Sequence, residues 1–228
     1  RRNQLHEVIR LSGMNLIIND TDHPLIIKVA SIQSARMQIY FIDNEDYFQR
    51  KSVLYDSGNK FFKDNDERAI FFARGVLETV KKLGWSPDIV HCHGWITSLL
   101  PIYLKKAFVD NPIFSDTKII YSIYNDDFPI QFNKNFADKI MLPGIKESDI
   151  EHYKKPSFVN ITKAAIDFSD GVIIGSPDIN SDIINYVNQI DKPVLEFKSM
   201  DTYIDSYNEF YDEILVNEVA PRPHNSGH

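Results

Sequence analysis

The stretch Ser86-Pro-Asp-Ile-Val-His-Cys-His-Gly-Trp-Ile-Thr-Ser-Leu-Leu100 decides how the chain is read. Residues 88–92 are mostly apolar without alternation, which predicts a short strand buried on both faces. From Trp95 onward, Ile96, Leu99, Leu100 and Tyr103 recur at helical spacing and predict a helix over 95–108. His93-Gly94 is then the turn between them. In an open α/β sheet such turns lie at the carboxyl ends of the strands, where ligands bind. A titratable ring at that place is the first candidate for chemistry.

Toward the N terminus, Asp64-Asn-Asp-Glu67 reads as a helix start, with Asp64 as cap and Glu67 three residues on, as in a capping box. Ile70, Ala73, Leu77 and Val80 mark the apolar face of that helix, and Gly84 its stop. Residues 43–63 read as a loop with one short helical turn. Strands are expected over 5–11, 14–18, 24–32 and 37–42. Toward the C terminus, strands at 118–124, 171–175 and 193–197 alternate with helices at 160–168, from Ser176-Pro177, and at 199–216. Met200, Tyr203, Ile204, Tyr207, Phe210, Tyr211 and Ile214 give the last helix a face to pack. The connection 125–151 is of a length that is usually functional or mobile. This alternation predicts one α/β Rossmann-like domain over residues 1–216, with a mainly parallel sheet and helices on both faces. Residues 217–228 read as a disordered tail.

The formal net charge of −7 argues against a nucleic-acid or anionic-membrane surface, since both need clustered Lys and Arg. A single cysteine excludes an internal disulfide framework and fits a reducing compartment. No apolar run approaches the roughly 20 residues that span a bilayer, and Arg1-Arg-Asn-Gln-Leu-His6 has no signal-peptide core. The expectation is a soluble, cytoplasmic protein.

His91 and His93 share one face of the strand and could supply two metal ligands. A zinc site needs a third and fourth ligand and a supporting shell, and nothing else along the chain repeats the pattern, so neither metal nor cofactor is expected. His91 reads as a hydrogen-bonded core histidine and Cys92 as a small buried hydrophobe. Position alone leaves His93 open to a binding or a structural role. Asp126-Asp127 reads as a pair of solvated loop acids. Gly-x-Gly-x-x-Gly, Gly-x-x-x-x-Gly-Lys-Ser/Thr and Gly-x-Ser-x-Gly do not occur, so the usual sequence support for dinucleotide, P-loop and serine-hydrolase sites is missing.

Five blocks taken together are more specific. They are Ile39-Tyr-Phe-Ile-Asp-Asn-Glu-Asp-Tyr-Phe-Gln-Arg50, Asp64-Asn-Asp-Glu-Arg68-Ala-Ile-Phe-Phe72, Gly84-Trp-Ser-Pro-Asp-Ile-Val-His-Cys-His-Gly-Trp95, Ile161-Thr-Lys-Ala-Ala165 and Asp170-Gly-Val-Ile-Ile-Gly-Ser-Pro177. In this order they resemble the N-terminal catalytic domain of bacterial glycogen and starch synthases, above all the short glycogen synthase-like proteins of Bacteroides-type bacteria. The resemblance implies a retaining glycosyltransferase of the two-Rossmann-domain type, moving glucose from ADP-glucose to an α-1,4-glucan without a metal. It implies that His93, the second histidine of a His-x-His-Asp-Trp motif, lies beside the transferred glucose. By the same likeness Asp64 faces the sugar site, and Asn125, closing Ser122-Ile-Tyr-Asn125, binds a hydroxyl.

The departures are also specific. The motif aspartate is Gly94, and a strand-end histidine is Tyr124. The family's opening strand with its Lys-x-Gly-Gly-Leu loop is expected to be missing, as is the C-terminal nucleotide-binding domain. Departure of the leaving group places charge on the diphosphate and requires preorganised positive charge or N–H groups, and no basic cluster is evident in the sequence. Two further readings fit: a non-catalytic glucan- or partner-binding module, and half of a split synthase completed by a separate nucleotide-binding chain.

Overall fold

The structure, a computed structural model, describes residues 6–216; the expected tail at 217–228 lies outside them. Three strands, β1 (His6–Ile18), β2 (Thr21–Ile32) and β3 (Met37–Asp43), form an antiparallel sheet in that order. The strands expected at 5–11 and 14–18 are therefore one. Its register shifts between Arg10 and Ser12, where a bulge falls, and Ser12 and Gly13 pair with Ile27 and Ile26 and make no turn. Asn19-Asp20 joins β1 to β2 with φ of 50° and 60°, and Ile18 lies opposite Thr21. This is the two-residue hairpin whose twist matches that of the strands.

Four more strands, β4 (Ile89–His93), β5 (Lys118–Ile123), β6 (Gly171–Ile174) and β7 (Val194–Leu195), form a parallel sheet in the order β4-β5-β6-β7. The expected mainly parallel sheet is thus a parallel sheet accompanied by a separate antiparallel one. The helices are α1 (Glu45–Phe48), α2 (Asn65–Leu83), α3 (Leu100–Ile102), α4 (Phe136–Lys139), α5 (Phe158–Asp167), α6 (Ser181–Val187) and α7 (Tyr203–Val216).

Two helices depart from expectation for local reasons. The helix read over 95–108 is a 3-10 turn at Trp95–Thr97, then α3, then a π-helical turn at Tyr103–Ala107. Pro101 has no N–H to continue an α-ladder from the Trp95 turn. The helix read from Ser176-Pro177 begins at Ser181, because Asn180 supplies a cap oxygen to the N–H of Asp182.

Alternation along β5 and β6 sorts their residues onto two faces. Ile119, Tyr121, Ile123, Val172 and Ile174 enter the main core, which also holds Cys92 and the buried sides of α2 and α5. Ile120 and Ile173 face the other way, under Phe210 and Ile214 of α7. Gly171 lets α7 settle there, since a Cβ on it would stand 2.7 Å from Ile214 Cδ1 and 3.0 Å from Phe210 Cζ. Burial of Phe210 and Ile214 contributes roughly 1.5–3 kcal/mol each. The packed face of this helix is narrower than the sequence suggests: Met200 is 88% and Ile204 59% exposed.

Candidate functional site

At the carboxyl end of β4, the rings of His91 and His93 lie with centroids 4.0 Å apart. His91 is held on both sides, its Nδ1 2.6 Å from Tyr211 Oη and its Nε2 2.7 Å from Ser122 Oγ. Burial, followed by the nearness of His93, lowers its pKa to about 3. It is a neutral core ring, one nitrogen donating and the other accepting. Cys92 points to the opposite face, where burial pushes its thiol pKa up and keeps it out of nucleophilic chemistry.

His93 is exposed as a residue, yet the atoms crowding its ring lower its pKa too. Its Nδ1 lies 2.8 Å from Tyr124 Oη, and the two rings stack. Among the described residues only Nδ1 of His93 has a hydrogen-bond partner, so Nε2 is the nitrogen left for a ligand. Tyr124, where the resembling family has histidine, is therefore the group that turns the His93 ring.

The corner after His93 depends on a residue read differently from sequence. Gly94 adopts φ 68° and ψ −173°, a region open essentially to glycine alone. The N–H of Trp95 donates to Asp126 Oδ2 at 3.3 Å, and a Cβ on Gly94 would stand 2.6 Å from that same oxygen. Asp126 is thus a half-buried anchor of the corner and not a solvated loop acid. Burial raises its pKa against the pull of the Trp95 N–H, and its Oδ1 is buried without a partner among the described residues. Asp127 does stay exposed, accepting from Asn180 Nδ2 at 2.8 Å. A signal was available: Gly94 leaves a carboxylate-sized space where the motif has aspartate, and two acids follow the neighbouring strand.

Asp64 stands at the N-cap position of α2, where its carbonyl accepts from the Arg68 N–H, but its side chain makes no capping bond. Its carboxylate accepts from Arg50 Nη1 at 2.7 Å and Nη2 at 2.5 Å, and such a two-pronged charged pair outcompetes a backbone N–H. Burial opposes the charge on Asp64, but the Arg50 bonds outweigh it and hold the carboxyl below its usual range. Arg50, Lys51 and Arg68 line a cleft of about 380 Å3 with Trp95, Ile96 and Asp126. Arg68 is buried and donates to the carbonyls of Tyr47 and Val53 and to Asn65 Oδ1. This basic group goes unseen in sequence because its arginines stand far apart along the chain and only the folded 43–63 segment gathers them.

Of the three residues singled out by the resemblance, His93 and Asn125 share one end of the parallel sheet, since His93 is in register with Ser122. Asn125 is exposed, and its N–H donates to Ser176 Oγ at 3.3 Å. Asp64 does not join them: it is paired with Arg50, which lines the cleft beside Trp95 and Asp126. Among the described residues no group of three or more His, Cys, Asp and Glu gathers where it could hold a metal ion, and no helix is long and apolar enough to cross a membrane.

With this geometry in hand, likeness to known proteins becomes informative. The model of the starch synthase catalytic domain family matches residues 1–192. The glycogen synthase of Chlorobium limicola is 43% identical over 126 residues, 55% of this chain and 26% of that protein. That of Chlorobaculum parvum is 31% identical over 180 residues, 78% of this chain and 36% of that protein. The aligned part is therefore about a quarter to a third of these relatives. Among solved structures, the catalytic domain of Starch Synthase IV from Arabidopsis thaliana bound to ADP and acarbose superposes with a TM-score of 0.59 at 18% identity, over 91% of this chain and 43% of that one. At that identity the likeness speaks for the fold alone.

Proposed function

This chain belongs to the starch synthase catalytic domain family, and we propose from that premise that it is the acceptor-side domain of a retaining glucosyltransferase. The reaction is transfer of glucose from ADP-glucose to the end of an α-1,4-glucan. The observation that carries this reading is His93, a neutral imidazole at the end of β4 whose Nδ1 is engaged by Tyr124 and whose Nε2 is open to a sugar hydroxyl. Asn125 offers an amide from the neighbouring strand end, and Asp64 acts as one half of its pair with Arg50. The ADP and acarbose of the Arabidopsis structure support a nucleotide sugar and a glucan as ligands.

Residues 1–216 act as one domain in this reading, in the cytoplasm, with kinship to the short Bacteroides-type proteins. Arg50 and Arg68 are engaged within the domain, so most of the positive charge for the leaving diphosphate falls to a second nucleotide-binding domain or chain. One observation favours a non-catalytic glucan-binding module instead: both oxygens of Asp64 are taken by Arg50.

The test is calorimetric titration of the chain with maltotriose, beside urea melts. His93→Ala is expected to weaken saccharide binding by about 1–2 kcal/mol, one neutral hydrogen bond, with little loss of stability. A stability loss of several kcal/mol with unchanged binding would show His93 to be structural. Binding that persists without glucose transfer, when a nucleotide-binding partner is supplied, would decide for the module.

A further inference from the structure

Whether the open nitrogen of His93 donates or accepts is set by the groups behind the ring, since the partner of one imidazole nitrogen fixes the state of the other. His93 Nδ1 lies 2.8 Å from Tyr124 Oη. Behind this pair stands His91, with Nε2 2.7 Å from Ser122 Oγ and Nδ1 2.6 Å from Tyr211 Oη on α7. Ser122 joins the two pairs. It lies opposite His93 in the register of β4 and β5, and it precedes Tyr124 by two residues, the spacing that puts side chains on one face of a strand. Burial raises the Tyr124 pKa and the Ser122 hydroxyl acts against it, as a donor to the phenol oxygen does. Tyr211, His91, Ser122, Tyr124 and His93 thus form one row that runs from the last helix to the open end of the parallel sheet.

Each hydroxyl in the row has one hydrogen to give, and each neutral ring has one N–H. Burial keeps both rings neutral and both phenols protonated, so no member is an ion. Ser122 is fully buried, which leaves water no place as a substitute for a member at the centre. All the bonds are made only when every member points the same way. Acid strength chooses the way. A phenol, with a pKa of roughly 10, is a stronger acid than an alcohol or a neutral imidazole N–H, and a bare imidazole nitrogen is a stronger base than a phenol oxygen. Tyr211 therefore donates to His91 Nδ1, His91 Nε2–H to Ser122, Ser122 to Tyr124, and Tyr124 to His93 Nδ1. The opposite direction would have both imidazoles donating to phenols. With Nδ1 of His93 accepting, its proton stands on Nε2.

We propose that Tyr211 of α7 is a positioning residue for the ligand site: acting through His91, Ser122 and Tyr124, it fixes His93 as the Nε2–H tautomer, so that the open nitrogen is a donor and takes an acceptor oxygen. Tyr211 lies outside the residues matched by the family model, which end at 192. That the oxygen belongs to a sugar rests on the proposed function; the tautomer does not. The test is the side-chain nitrogen spectrum of the nitrogen-15-labelled 228-residue chain at pH 7.5, with His91→Gln and His93→Gln assigning the two rings. In the native chain His93 Nδ1 is expected in the range of a bare ring nitrogen and Nε2 in that of a protonated one. Tyr211→Phe keeps the ring and removes only the hydroxyl, and both His93 nitrogens should then move toward the average of the two tautomers. With about half of His93 left as Nε2–H, maltotriose affinity falls about twofold, in proportion to the competent fraction. Tyr203→Phe, on the same helix against the Tyr207 ring, should change neither the spectrum nor the affinity. Should Tyr211→Phe not fold, Ser122→Ala cuts the row at its centre and is expected to move the His93 nitrogens in the same sense. A native His93 that carries its proton on Nδ1 overturns the assignment. So does a folded Tyr211→Phe chain, or in its place a Ser122→Ala chain, whose His93 nitrogens are unmoved. The expected tautomer with no response to maltotriose in the native chain counts against the proposed function and not against the row.

Discussion

Lowering the pH from 7.5 to 5 is expected to destabilise the fold by about 2 kcal/mol through His91 alone. Its pKa in the folded chain is about 3, against roughly 6.5 in an unfolded chain. The folded ring refuses the proton because loss of solvent around it disfavours the charged form and His93 stands beside it. Between those two pKa values the unfolded state therefore binds one more proton, and stability falls by about 1.4 kcal/mol for each pH unit lost. It is complete above about 6.5 and stops falling below the folded value. At pH 5 the loss spans about one and a half units, hence about 2 kcal/mol, and a folded pKa of 4 in place of 3 would barely alter it. His93, also lowered, adds to the total slope in the same direction, so the decisive quantity is a difference between proteins. Urea melts at pH 5, 6 and 7.5 and constant ionic strength should be run on the native chain and on His91→Gln, which cannot titrate. The variant should begin about 1–3 kcal/mol less stable at pH 7.5, because Ser122 is fully buried and its hydroxyl loses its ring partner. Its loss on going to pH 5 should then be about 2 kcal/mol smaller than the native loss. Parallel pH curves for the two proteins would refute the reasoning.

Two other substitutions test the corner and the last helix. Asp126→Ala removes the acceptor of the Trp95 N–H and should cost about 1 kcal/mol in urea melts while loosening saccharide binding at His93; unchanged binding would mean that the corner holds without it. Phe210→Ala should cost about 3–5 kcal/mol in thermal or urea melts, as aromatic deletions in cores do, and a cost under about 1 kcal/mol would show that α7 is not anchored by this ring.

The elements legible in the sequence are those whose burial is decided locally. β5 and β6 announce themselves as mostly apolar runs because both faces of the parallel sheet are buried there, and α2 because its stripe and its Gly84 stop agree. Errors arise where a local signal meets a stronger distant one. Asp64 has the spacing of a cap, yet a guanidinium fourteen residues upstream claims it. Ser176-Pro177 has the form of a helix start, yet Asn180 caps the helix four residues later. Asp126 is the harder case, since whether an acid after a strand meets water depends on the space left by Gly94 on another strand. His91 was legible as a satisfied core ring, but its Tyr211 partner, 120 residues away, was not.

The covering of Ile120 and Ile173 by α7 also has a consequence during synthesis. Ile173 leaves the ribosome 41 residues ahead of Ile214, which at about 5–20 residues per second is roughly 2–8 seconds. Throughout that interval a sheet whose other face can already pack carries a bare apolar stripe on this one. Slowed translation of the α6–α7 segment lengthens the interval in proportion. Ribosome-bound chains halted with β6 outside the exit tunnel and α7 still within it should therefore be the ones most prone to coaggregate or to recruit a chaperone.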